Sequence, residues 1–273
     1  MARPNLSYLK NLILVLVGIP CGFLTGLSGI GSTSVVSAGV GFLLGVRDSR
    51  NSGAALLTTV ASVLACLIAY SQHNACPWAL ALLVTIGQII GAGFGQSLKG
   101  KSPAVGFLRP FLAIAIMALG LYMMVSRSHV YPILFVGGWR LLLCGLGVGI
   151  VTGLITGVLE SGGLLTVPAA LYLLGLPILK AQGLSILVLL LASLPAALAY
   201  LGVKAVEVRS ASWVPFGALF GALAGAYYAT SRFAPSALID FDGLIITLIA
   251  LYHLLNRPHT PPKASVDSIL RSE

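Results

Sequence analysis

Two short clusters of small and polar residues are the places where this chain could hold a charged solute. One reads Leu27-Ser28-Gly29-Ile30-Gly31-Ser32-Thr33-Ser34, the other Thr156-Gly157-Val158-Leu159-Glu160-Ser161-Gly162-Gly163. Each interrupts an apolar run of about 36 residues, 11–46 and 141–176, too long for one membrane crossing of about 20 residues. A glycine in a helix interior costs about 1 kcal/mol, so several together predict a break between two half-helices. A half-helix that begins inside a bilayer leaves its first N–H groups unpaired and presents the positive end of its dipole. Ser32, Thr33 and Ser34, and likewise Ser161, Gly162 and Gly163, are expected to begin the second half-helices, with Ser28, Gly29 and Gly31 completing the first cluster. Their hydroxyls and amides can replace the hydration shell of an oxyanion. No lysine or arginine lies inside either cluster, which suits a solute that must also leave. The alternative is that the breaks serve packing, since Gly and Ser are common at membrane helix contacts. Their recurrence at matching positions favours a binding site.

Glu160 reads as the acidic residue set well inside an apolar run. An intramembrane carboxyl costs about 3 kcal/mol on insertion scales and is by default a functional candidate. It can carry a coupled proton or act as a gate; it can also hydrogen-bond its own broken helix, or occupy the freed amides and reject an anion. Thr58 and Thr59, with Ser185 and Ser193 in the matching later span, are candidates to line the path, against the alternative that each hydroxyl bonds its own i−4 carbonyl. Gln88 and Gln96 are further polar candidates.

The elements that must position these groups follow from composition. The 273 residues are 58% hydrophobic and only 8% charged, against roughly 25% charged in soluble domains. Mean hydropathy is +1.00. Apolar runs cover 11–46, 52–71, 78–98, 107–125, 141–176, 181–203, 213–230 and 243–255, the last starting a few residues earlier near Pro235. The formal charge of +9 sits in short loops between these runs, a sign of membrane orientation and not of nucleic-acid binding. Cys21, Cys66 and Cys144 lie in apolar runs, and Cys76 in a loop with no loop partner for a disulfide. The basic start, residues 1–10, leads into an apolar stretch with no small-residue cleavage site and is expected to be retained.

The chain repeats itself. An offset of 130 carries Tyr70 onto Tyr200, Tyr122 onto Tyr252, and Gly87, Gly91 and Gly95 onto Gly217, Gly221 and Gly225. Thr25-Gly26-Leu27 matches Thr152-Gly153-Leu154 at an offset of 127, which predicts three extra residues in the second break. The two glycine ladders are expected to serve close helix packing, within or between subunits. If each long run is a hairpin, Arg3, Lys10, Arg47, Arg50, Lys99, Lys101, Arg109, Lys204, Arg209, Arg257, Lys263 and Arg271 fall on one side, and Arg127, Arg140, Lys180 and Arg232 on the other. That positive-inside bias places both termini in the cytoplasm and makes the halves inverted. The expected fold is an all-α polytopic membrane protein of two inverted repeats, each a broken-helix hairpin plus three transmembrane helices. Eight hydrophobic segments then give up to ten helices. Its parts are a cytoplasmic N-terminus (1–10), a first repeat (11–126), a linker (127–140), a second repeat (141–256) and a polar tail (257–273).

The stretch Gly22-Phe23-Leu24-Thr25-Gly26-Leu27-Ser28-Gly29-Ile30-Gly31 resembles the G-x3-G-x2-G-x-G opening motif of the TauE/SafE family of sulfite exporters. The likeness runs from about residue 11 to 255, with the order of hairpin, span, glycine-ladder span and span occurring twice. The resemblance implies a multi-pass inner-membrane transporter for sulfur-containing anions such as sulfite, sulfoacetate or thiosulfate, driven by the proton gradient. Two departures bear on the substrate. Gly31-Ser32-Thr33 stands where a glycine triplet is usual, and Ala38 where a proline follows it, although Pro168 keeps that proline in the second half.

Three rival readings differ in class. Gly26-Leu27-Ser28-Gly29 matches the G-x-S-G of rhomboid proteases, with His253 as a conceivable base, but four residues among 32 glycines are a weak match. A channel and a non-transporting scaffold are the others. With neither an HExxH zinc signature nor a P-loop present, the expectation is a non-enzymatic carrier without a cofactor, whose partners are a small anion, the bilayer and protons.

Overall fold

The computed structural model describes residues 5–31, 49–101, 104–126, 138–159, 163–204 and 213–255. Ser32, Thr33, Ser34, Glu160, Ser161 and Gly162 lie outside these segments. The described residues form nine helices: α1 Asn5–Ser28, α2 Ser49–Gln72, α3 Trp78–Lys101, α4 Ala104–Val125, α5 Trp139–Leu159, α6 Thr166–Tyr172, α7 Ile178–Lys204, α8 Trp213–Ser231 and α9 Pro235–Leu255. Pro235 opens α9 at the position where proline's missing N–H costs nothing, and its 21 residues put the last span's start where the sequence suggested.

Solvent preference is inverted relative to a soluble bundle. Thr58, Thr59, Gln88, Gln182, Ser185 and Asp242 are buried, while Leu16, Ile90, Phe94, Phe220 and Leu248 face outward. Five helices contain stretches long and apolar enough to cross a membrane, namely Ala55–Gln72, Trp78–Leu98, Trp139–Leu159, Ile178–Pro195 and Pro235–Leu255. In hydrocarbon every backbone polar group needs an internal partner. The non-helical segment before α6 meets that demand by burial: Leu164 through Tyr172 is enclosed by protein.

Helix pairing exchanges elements between halves. α1 packs chiefly against α8, and α5 against α3; α4 pairs with α9 and α2 with α7. Swapping the halves maps this set onto itself. The glycine ladders form the two exchanged seams. A Cβ at Gly87, Gly91 or Gly95 would strike the carbonyl oxygen of Leu146, Ile150 or Leu154, and one at Gly217, Gly221 or Gly225 that of Val15, Ile19 or Phe23. The partners answer in kind: Gly18, Gly22 and Gly26 abut Val214, Ala218 and Ala222, as Gly149, Gly153 and Gly157 abut Val84, Gln88 and Ala92. Backbones this close exclude any side chain larger than hydrogen, so the ladders are packing seams.

These contacts correct the repeat register. They relate α1 to α5 by 131 residues, with Gly22 answering Gly153 and Gly26 answering Gly157. The sequence match at 127 is displaced by one helical turn. Glycines recurring every fourth residue align equally well after a slip of four, so the Thr-Gly-Leu coincidence chose the wrong turn. Since α3 and α8 keep the offset of 130, the second copy is one residue shorter before its ladder and not three longer.

Candidate functional site

The first break begins where expected. α1 ends at Ser28, and Gly29 follows at φ 64°, its N–H donating to the Thr25 carbonyl over 2.8 Å. This is a left-handed helix terminus of the kind glycine adopts without a Cβ penalty. The space is also closed to a side chain, because a Cβ at Gly29 would lie 2.9 Å from the Gln182 Cα on α7. Ser28 Oγ donates to the Leu24 carbonyl at 2.7 Å and accepts from the Ile30 N–H at 3.1 Å. Its hydroxyl therefore caps the turn. The Ser28 hydroxyl donates within its own helix and not to His253, whose Nδ1 lies 2.8 Å from the Ile249 carbonyl.

A helix that ends inside a membrane exposes carbonyls, and here side chains from two other helices cover them. Tyr70 of α2 places its hydroxyl 3.0 Å from the Gly26 carbonyl and 3.0 Å from Gln182 Oε1. Gln182 of α7 donates through Nε2 to the Leu27 carbonyl at 3.1 Å and to Asp242 Oδ2 of α9 at 2.9 Å. The Nε2 group thus spends its N–H donors on two acceptors, which fixes the amide's orientation. Tyr70, Gln182 and Asp242 are each 0% exposed. Asp242 Oδ1 has no hydrogen-bond partner.

The second break is held differently. α5 is described as far as Leu159, Gly163 turns at φ 77°, and the Thr166 N–H donates back to the Gly163 carbonyl at 3.1 Å as α6 begins. Gly163 therefore lies in the turn before the half-helix and not at its start. Gln88 of α3 donates to Thr166 Oγ1 at 2.8 Å and to Thr152 Oγ1 at 3.3 Å, tying α6 to α5. This clamp contains no acid.

Both turns rest on α7. Gly29 meets Gln182, and Gly163 meets Leu189, seven residues further along. That is two turns, about 10 Å along one helix. Ser185 lies between them on the same face, because positions i, i+3 and i+7 align. It is 0% exposed, and its hydroxyl has no partner. The other hydroxyls expected along the path are engaged locally: Thr59 Oγ1 donates to Ala55 at 2.9 Å and Ser193 Oγ to Leu189 at 2.5 Å. Thr58 is buried on α2 and its carbonyl accepts the Ser62 hydroxyl at 2.8 Å. Gly31 is buried beyond the first turn. A groove of about 470 Å³ runs between α1 and α8 over Pro20, Phe23, Phe220 and Ala224. It is apolar and lies at neither turn.

Sequence reasoning took Glu160 as the sole intramembrane acid; Asp242 corrects this. The apolar run counted from Gly243 excludes Asp242, whereas the helix begins at Pro235 and takes it in. The start at Pro235 together with a 21-residue span would have drawn Asp242 about a third of the way into the helix. Gln182, at the edge of its run, carried no such signal.

Inverted exposure, buried interrupted helices and duplicated seams define a multi-pass α-helical membrane protein whose two helix breaks meet one shared helix. The sulfite exporter TauE/SafE family profile matches residues 14–253, and the chain belongs to that family of membrane transporters. No curated protein and no solved structure matches the chain significantly.

Proposed function

We propose that this chain is a secondary carrier that moves a small sulfur-containing anion, such as sulfite, thiosulfate or an organosulfonate, across the inner membrane. Transport runs by alternating access around the two helix breaks, is driven by the proton gradient, and uses two inverted halves with both termini cytoplasmic. Residues 11–126 and 141–256 are the two repeats, joined by the linker 127–140 and flanked by the polar ends 1–10 and 257–273. One observation carries the reading: both breaks abut the same face of α7, with the unpartnered Ser185 hydroxyl between them. An orphaned buried hydroxyl costs about 1–3 kcal/mol, a cost that an anion accepting its hydrogen removes. Ser28 caps the first turn, while Gly29, Gly31 and Gly163 let the chain come close. Ser32, Thr33, Ser34, Ser161 and Gly162 supply donors on the same argument, Glu160 serves coupling or gating, and Thr58 and Thr59 flank the path. The anion itself is held by hydroxyls and amides, so no cationic side chain traps it.

The test is flux in proteoliposomes over sulfite, thiosulfate, sulfoacetate and simple carboxylates, with and without a pH gradient. A hydrogen bond to a charged group is worth about 1.5–3 kcal/mol, so Ser185→Ala is expected to raise KM roughly ten- to hundredfold with the protein still folded. An unchanged KM removes Ser185 from the site. Absence of saturable flux for every anion tested removes the carrier reading itself.

A further inference from the structure

The carboxyl of Asp242 is buried among three helices with one oxygen unpartnered and no ion pair among the described residues. On the α2 side lies Tyr70, which has Cys66 of its own helix and Cys76 of the following loop near it. α7 contributes Gln182, with Lys180 exposed at its first turn; α1 contributes the Leu27 carbonyl. α4 packs Gly120, Met123 and Met124 against the adjacent Gly243, and α9 itself carries Asp240 and, three turns on, His253. None of these pairs a positive charge with the carboxyl, and an uncompensated intramembrane charge is costly.

We propose that Asp242 is a proton-binding site of the transport cycle, and that Gln182 and Tyr70 convey its protonation state to the first helix break. The inference deepens the proposed carrier reading, on which its flux arm rests. In the arrangement described, the proton sits on Oδ1, while Oδ2 accepts from Gln182. The Gln182 Nε2 group gives one N–H to Asp242 Oδ2 and the other to the Leu27 carbonyl, and the Tyr70 hydroxyl lies between Gln182 Oε1 and the Gly26 carbonyl. When the O–H bond breaks, the proton passes to water on the side to which the site opens, and its electron pair stays on the carboxylate. A carboxylate binds donors about twice as strongly as its neutral form. It therefore draws the Gln182 amide toward α9 and away from the Leu27 carbonyl, loosening the turn at Gly29 that rests on Gln182. Rebinding of the proton returns the donors to α1 and closes the turn. Among the described residues, the clamp on the second break is Gln88 with two threonines and holds no carboxyl.

Two readouts test the site on the full-length protein in lipid vesicles. Infrared difference spectra between acid and alkaline buffer need no substrate. Wild type is expected to show a carboxylic-acid carbonyl band that titrates and is lost in Asp242→Asn; an identical band in both, or none in wild type, overturns the proposal. In the flux assay with sulfite, Asp242→Asn is expected to keep sulfite counterflow but lose accumulation driven by a pH gradient. Gradient-driven accumulation that persists in this variant overturns it as well. Asp242→Glu keeps a titratable group and is expected to retain coupling with a shifted pH profile, whereas an unshifted profile counts against the site. If wild type transports none of the anions tested, the carrier reading fails, and the infrared band still decides the proton site.

Discussion

The two breaks differ in what holds them although the scaffold around them is duplicated. At the first, Tyr70, Gln182 and Asp242 cover the carbonyl end of α1. At the second, Gln88 joins Thr152 to Thr166 with neutral groups alone. The offset-130 counterpart of Gln88 is Ala218, and that of Asp242 is Leu112, so neither clamp has a copy in the other half. Duplication preserved what sets the geometry, the glycine seams, and left the polar contacts free to diverge.

Substitutions made in pairs, one per half, sharpen that contrast. The largest effect is expected at the seams. Gly26→Ala and its structural counterpart Gly157→Ala each push a Cβ into a backbone carbonyl, an overpacking cost of about 1–3 kcal/mol or more. Thermal unfolding in detergent, followed by size-exclusion chromatography, should show comparable losses for both. A large loss for one and none for the other breaks the symmetry of the scaffold. Next come the clamps. Gln182→Leu and Gln88→Leu each strand buried acceptors and should destabilise by about 1–3 kcal/mol, but only Gln182→Leu should alter the pH dependence of flux. Equal effects on that dependence erase the distinction between the breaks. The smallest effect is expected for Thr59→Val, which removes a bond to the i−4 carbonyl worth about 0.5–1.5 kcal/mol. Its KM for sulfite should stay within about twofold, whereas a larger rise places Thr59 on the substrate path.

Much of the fold was legible because local chemistry dictates it. Apolar runs of spanning length became α2, α3, α5, α7 and α9, and the first glycine cluster ended α1 at Ser28. The ladders announced close seams, since a small residue at every fourth position marks one helix face. Their register was less readable, for a pattern of period four cannot distinguish itself from its own shift by one turn. Of the site, Ser185 was legible as a hydroxyl in a span, but its lack of a partner depends on what surrounds it. The Tyr70–Gln182 contact joins residues 112 apart, and no local pattern encodes such a meeting. Tyr70 stood out only as the match of Tyr200.

The exchanged pairing of α1 with α8 and of α5 with α3 also governs assembly. The glycine row of α1 has no mate until α8, about 190 residues further along, has been synthesised, so α1 must wait with a bare seam. Neither half can close its own contacts, and when each is expressed alone it lacks the surface that would complete it. Removal of α8 should therefore be sensed at α1, whose glycine row it covers.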